Sequence, residues 1–119
     1  MSATAERTFE AYRDATERRD ADAVLQLFTE DAVLVEYDKE HPPSSPDEFR
    51  GKARIEEMLR DVYGRDMTHK IEGEVIGEDR FSFIERCEYP DGNRVVASGL
   101  CELRDGQIQR ETMLQAWDG

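Results

Sequence analysis

The stretch RFSFIERCEYPDGNRVVASGLCELRDGQIQRETMLQAW, Arg80–Trp117, decides the fold. It contains three runs rich in β-branched and aromatic residues, divided by Asp91-Gly92 and Asp105-Gly106. Asp-Gly suits a two-residue hairpin turn, whose central positions need positive φ. The reading is an antiparallel meander over residues 80–89, 94–104 and 107–117. Side chains alternate across a strand, so two-residue turns sort them into two faces. One face receives Phe81, Phe83, Glu85, Cys87, Tyr89, Val96, Ser98, Leu100, Glu111, Met113, Gln115 and Trp117. The other receives smaller residues, among them Val95, Ala97 and Gly99. The first face holds most of the aromatic bulk.

Working outward, Thr68 to Ile76 reads as one more strand. Before it, Lys52 to Tyr63 is the clearest helix. Ile55, Met58, Leu59, Val62 and Tyr63 follow i, i+3, i+4, i+7, i+8 spacing, and Gly64 stops the run. Asp38 to Asp47 contains His41-Pro42-Pro43-Ser44-Ser45-Pro46, a loop because proline removes donors and restricts its neighbours. Ala32 to Tyr37 is a valine-rich strand. Residues 3–19 form a helix with Phe9, Tyr12 and Thr16 on one face. Asp20-Ala21-Asp22 supplies an N-cap for a short second helix carrying Ala23, Val24, Leu27 and Phe28, which Glu30-Asp31 ends. The order is helix, helix, strand, helix, four-strand meander: a single α+β domain over residues 1–119, with no repeat or linker. A curved sheet under so few helices leaves an open-ended cone with a pocket.

Composition removes several function classes. Acidic residues number 28 against 16 Lys and Arg, for a formal charge of −12. That surface repels phosphate, so neither nucleic acid nor an anionic membrane is an expected partner. No apolar run reaches the roughly 18 residues of a membrane span. Met1 to Glu10 lacks the basic-then-apolar layout of a signal peptide, so a cytoplasmic location is expected. Hairpin register places Cys87 across from about Val96 and Cys101 across from about Ser82, too far apart to bridge. The cysteines lack CxxC spacing and no HxH pair is present, so no metal or cofactor is expected.

Phe9-x-x-Tyr12, Asp20-Ala21-Asp22 and Leu27-Phe28-x-Glu30-Asp31-Ala32-Val33 resemble the opening of the SnoaL-like and ketosteroid isomerase-like families. Phe49-Arg50-Gly51-Lys52-x-x-Ile55, Leu103-Arg104-Asp105-Gly106-Gln107-Ile108 and the closing Trp117-Asp118 continue the likeness. It implies the cone-shaped nuclear transport factor 2-like fold, with three N-terminal helices on a curved, mostly antiparallel sheet. Ketosteroid isomerase uses a carboxylate base, a tyrosine donor and a neutral carboxylic acid donor. Carried onto this chain, Tyr12 matches the tyrosine. Glu36 matches the base, with one methylene more than the family's Asp. The acid donor's position falls on Leu100, or on Gly99 after a one-residue shift, and neither side chain can donate.

The aromatic face is expected to line the cavity, and the flatter face to pair two copies as a homodimer. The expected ligand is a small, largely apolar molecule held by Phe81, Phe83, Leu100, Met113 and Trp117. Glu36 would take or relay a proton, or be a solvated strand end, with Asp38 as its stand-in. Tyr12 would bind an oxyanion, or simply pack. Glu85 and Glu111 would share a proton, or pair with Arg86, Arg94 or Arg110. His69 would shuttle protons, or pack at a strand end, and His41 could close over a ligand from the proline loop. Two functions stand side by side. One is a cofactor-independent isomerase, cyclase, dehydratase or hydrolase; the other is a ligand-binding or association module without chemistry.

Overall fold

The computed structural model describes residues 3–119. Met1 and Ser2, the start of the expected 1–119 domain and of the Met1–Glu10 stretch, lie outside the described residues. Helix α1 spans Ala3–Glu17 and buries Ala5, Phe9, Tyr12, Ala15 and Thr16, one helical face. Its end is set by Arg19, which takes a positive φ of 57°. The Asp20 N–H then bonds the Ala15 carbonyl at 2.9 Å, and the Arg19 N–H the Thr16 carbonyl at 3.0 Å. These two bonds close the last turn as a Schellman pair, with arginine in the place glycine usually takes. Asp20 is also the N-cap of α2, Ala21–Leu25, its carboxylate accepting from the Ala23 N–H.

Strand β1 runs Phe28–Tyr37 and β2 Asp47–Arg50; α3 follows at Lys52–Tyr63. The remaining strands are β3 (Thr68–Ile76), β4 (Arg80–Glu88), β5 (Arg94–Arg104) and β6 (Gln107–Trp117). They form one six-stranded sheet in the order β2-β1-β6-β5-β4-β3, antiparallel except for the parallel β1–β6 pair. This is the expected α+β architecture, three helices on a curved and mostly antiparallel sheet. No described helix is long and apolar enough to cross a membrane.

Two elements differ from the sequence reading. Phe28 leaves the second helix and opens β1, where it faces Ile108 across the sheet; the Ile108 N–H bonds the Leu27 carbonyl at 2.7 Å. Phe28 is buried either way, so hydrophobic spacing could not distinguish helix from strand. The proline loop also ends sooner than expected. Asp47–Arg50 pairs with Val33–Glu36 as a short edge strand.

The larger correction concerns β5. The β4–β5 connection is not a two-residue turn: Glu88 pairs with Arg94, and the Tyr89 N–H bonds the Asn93 carbonyl around a five-residue loop. The register moves by one residue from that of a two-residue turn, and a one-residue shift flips every side chain of β5. Val95, Ala97, Gly99 and Cys101 therefore face inward, while Val96, Ser98 and Leu100 face out. Cys87 lies opposite Val95, and Cys101 opposite Phe81. A bulge between Glu102 and Leu103 shifts the register again before β6. The two shifts cancel, so Glu111, Met113, Gln115 and Trp117 remain on the face of Phe81, Phe83, Glu85 and Cys87.

The cone closes at the end nearest the Asp105-Gly106 turn. Phe9, Phe28, Phe81, Ile55 and Ile108 are each at most 1% exposed there. Thr8 fastens α1 to that hairpin through a 2.7 Å bond to the Gly106 carbonyl. The opposite end stays open.

Candidate active site

A cavity of about 360 Å³ occupies the open end, between α3 and the ends of β1, β4 and β6. Tyr12 enters it from α1, Glu36 from β1, Tyr63 from α3 and His69 from β3. Glu85 and Cys87 come from β4, and Glu111, Met113, Gln115 and Trp117 from β6. Phe81 and Phe83 do not line it. They lie deeper, 5.2 Å from Phe9 and 5.3 Å from Tyr12 between ring centroids, and so form the floor's packing. Leu100, expected in the pocket, is on the outer face beside Ser82 and Thr112. The inward position next to it is Gly99. A Cβ there would stand 2.5 Å from the Phe83 ring and 2.8 Å from the Met113 sulfur. The ring and the thioether thus fill the space of a third side chain.

The neighbouring strand β6 brings Glu111 to the same cavity. Its carboxyl is 2% exposed, and its Oε2 accepts the Tyr12 hydroxyl at 2.6 Å. Its other oxygen, Oε1, is buried with no hydrogen-bond partner. Burial pushes the Glu111 pKa up to about 8; the charges of Glu85 and Glu36 add to this, and the Tyr12 hydroxyl opposes it. Tyr12 is itself raised well above the usual phenol value, by burial and then by Glu111.

Glu36 sits where the sequence reading put it, near the inner end of β1, and opens onto the same cavity. Its pKa is pushed up to about 7 by burial first, then by the charges of Asp47, Asp38 and Glu85. The Gln115 amide donates to Glu36 Oε2 at 3.2 Å, and the Trp117 indole N–H donates to Gln115 at 2.9 Å. This chain fixes the direction of the carboxyl. His41 does not reach the cavity lining. It is held by Asp38 at 2.9 Å and lies 3.8 Å from Asp47, a clasp at the rim.

A second cluster occupies the β3–β4 wall. His69 Nδ1 is 2.8 Å from Glu85 Oε2 and 3.3 Å from Cys87 Sγ, and the thiol is 3.5 Å from the same carboxyl oxygen. The Tyr63 ring packs edge-on against the imidazole, 5.4 Å between centroids. Glu85 and Glu111 do not pair with the expected arginines. Among the described lining residues, Arg65 is the single arginine or lysine, and it is tied to Asp61 at 2.6 Å and to Tyr89 at 3.1 Å. Glu36 and Glu111 are thus buried without a partner cation, and burial raises the pKa of both.

Sequence reasoning found Tyr12, Glu36, Glu85, Glu111, Met113, Trp117 and His69 as candidates, and the structure brings all seven to this cavity. It missed the Tyr12–Glu111 bond, the role of Tyr63 as a wall and the His69–Cys87 pairing. For the last, the sequence showed only that Glu85 and Cys87 are two apart on one strand face; the partner on β3 came from the strand register.

The sequence pattern described as the SnoaL-like domain matches residues 9–111. No curated protein matches the chain. Among solved structures, a nuclear transport factor 2-like protein of unknown function from Mesorhizobium loti is similar at 19% identity. It covers 99% of this chain and 93% of its own, with a TM-score of 0.80. A candidate ketosteroid isomerase from Kribbella flavida is also 19% identical, covers 99% and 80%, and has a TM-score of 0.79. An LEH-like epoxide hydrolase from M. tuberculosis is 21% identical, covers 97% and 84%, and has a TM-score of 0.73. At these identities the likeness carries the fold alone.

Proposed function

The chain belongs to the SnoaL-like domain family, and on that premise we propose that it binds a small, largely apolar molecule and moves a proton on it with its own side chains. The observation that carries this reading is the opening of Tyr12, Glu36 and Glu111 onto one cavity. About 360 Å³ is at the small end of ligand-pocket volumes, enough for a compact ligand. Leu34, Phe49, Met58 and Met113 give it apolar walls.

Glu36, raised to about 7, is balanced near neutrality between its ionised and protonated forms, as a general base must be. Glu111, raised to about 8, is mostly protonated at pH 7. Because Tyr12 donates to Oε2, the acid proton sits on Oε1, the oxygen without a partner. Turned toward the cavity from its buried position, this neutral carboxylic acid would donate to an oxyanion that forms when Glu36 removes a proton beside a carbonyl. This supplies the acid donor that the family pattern would put at Gly99 or Leu100. The related epoxide hydrolase and candidate ketosteroid isomerase have the same cone, and ring opening or isomerisation would use the same base and acid pair.

The test is solvent-deuterium incorporation into a panel of enolisable cyclic ketones, followed by NMR. Wild type is expected to accelerate exchange of at least one compound, and Glu36→Gln to slow it about 10²–10⁴-fold with ligand affinity nearly unchanged. Equal exchange by the two proteins would sink the proton-transfer reading. A second reading, a ligand-binding module without chemistry, is supported by the Tyr12 hydroxyl being already committed to Glu111. Under it, neither protein exchanges protons and both bind the ligand alike.

A further inference from the structure

We propose that His69, Glu85 and Cys87 form a three-ligand site for a zinc-type divalent metal ion, with the fourth coordination position open to the cavity. The three ligand atoms, Nδ1, Oε2 and Sγ, already form a compact triangle with edges of 2.8, 3.3 and 3.5 Å. Tetrahedral zinc bonded at about 2.0–2.3 Å to nitrogen, oxygen and sulfur spaces such atoms about 3.4–3.6 Å apart. The triangle therefore needs to open by only about 0.1–0.6 Å to accept the ion, within the reach of small side-chain rotations.

The backbone supports this placement. His69 and Cys87 are directly opposed partners of β3 and β4, and Glu85 follows Cys87 on the same face at two-residue spacing. Ligands on paired strands are held more precisely than ligands on loops. Tyr63 packs against the imidazole and fixes its plane. All three side chains line the cavity, so a bound ion would keep one face toward a water or ligand oxygen. The donor set of one thiolate, one imidazole and one carboxylate suits zinc over calcium or magnesium. Coordination through Nδ1 places the imidazole proton on Nε2, which is buried without a partner, a cost that the three metal bonds must offset. Binding would deprotonate the Cys87 thiol and release that proton to solvent. A cation there would also offset the uncompensated carboxyls of the cavity.

The site shares no ligand with the proton-transfer reading, since neither Glu36 nor Glu111 coordinates the ion, and the test below reads the metal directly and not turnover. The test uses the full reduced chain titrated with Co(II) alone as a spectroscopic stand-in for zinc. Expected are a thiolate-to-cobalt charge-transfer band and tetrahedral visible bands that saturate at one ion per chain and disappear on adding one equivalent of zinc. Cys87→Ser should abolish the charge-transfer band, while Cys101→Ser, which alters the other buried cysteine, should retain it. Glu85→Gln, which keeps the thiol and the packing, should weaken the ion's affinity at least tenfold. Far-ultraviolet circular dichroism checks that each variant folds. Absence of the charge-transfer band in the wild type, a band that survives Cys87→Ser, or unchanged affinity in Glu85→Gln would overturn the proposal. A purely six-coordinate cobalt spectrum means an adventitious ion only and overturns it too.

Discussion

Tyr12 and Glu111 show how one buried contact can hold a proton in place. The Tyr12 hydroxyl satisfies one carboxyl oxygen at 2.6 Å, and beyond it only the weak Cys101 thiol approaches the group. An ionised Glu111 would leave charge in a closed, apolar setting, so the folded state keeps the proton. That preference is a stability statement. The Glu111 pKa rises from 4.5 to about 8 on folding, so the folded chain binds more protons than the unfolded chain between these values. Stability is then full below about pH 4.5 and falls as pH rises through about 8. Glu111→Gln keeps an acceptor for Tyr12 but cannot ionise, so it removes this share of the loss. The variant should gain about 2 kcal/mol or more on wild type between pH 5 and pH 9, roughly 5–10 °C in Tm. Melting curves at the two pH values check it; parallel shifts in both proteins would refute the burial argument. Glu111 itself was legible in the sequence as an inward residue of the last strand, but its tyrosine partner was not. Tyr12 lies 99 residues away, and no local spacing encodes such a pair.

The elements were legible wherever periodicity and turn chemistry agreed. The α3 stripe and the Asp105-Gly106 turn both read directly from the residues, and Arg104 pairs with Gln107 across that turn. Asp91-Gly92 misled, because Tyr89 and Asn93 join the loop and turn a two-residue connection into five. Pro90 precedes the dipeptide and cannot donate in a ladder, which was the available warning. The cost of that one residue was the whole β5 strand, with Leu100 placed inward and Gly99 outward. The corrected register explains why no acid stands at Gly99: Phe83 and Met113 already fill the space. Gly99→Ala should therefore destabilise the chain by about 1–3 kcal/mol, against the usual gain from replacing a strand glycine. Urea midpoints measure this, and a variant as stable as wild type would show that the Phe83–Met113 contact yields freely. The approach of His69 to Cys87 was not legible for a related reason, although Glu85 and Cys87 could be placed on one strand face. Metal-ligand spacing rules describe neighbours along one chain segment, whereas here two ligands meet across strands.

At the scale of the whole molecule, the fold sorts charge by depth. The chain carries −12 overall, and its surface acids at Asp31, Asp22 and Asp61 find arginines at 2.9, 2.6 and 2.6 Å. The cavity acids do not, because the cone brings β1, β4 and β6 together at an end whose one arginine is bound at the rim. Composition revealed the acid excess but could not say which acids would be stranded inside. The fold class was legible from element order, since helices at one end and a meander at the other leave few ways to cover one sheet face. The paired strands then decide which carboxyls gather. The charge of Glu85 raises the pKa of both Glu36 and Glu111, and that of Glu36 adds to the rise at Glu111, so these sites are linked.

The most direct test of the account is therefore a carboxyl-carbon NMR titration of the glutamates in the wild-type chain, assigned with Glu36→Gln and Glu111→Gln. Two glutamates should titrate far above the rest, with midpoints of about 7 and about 8, and each should vanish in its own variant. Glu36→Gln should also lower the Glu111 midpoint, because the Glu36 charge, formed first, raises it. If every glutamate titrates near the ordinary 4.5, the cavity is solvated, its acids are ionised at neutral pH, and no poised base and neutral acid face each other across it.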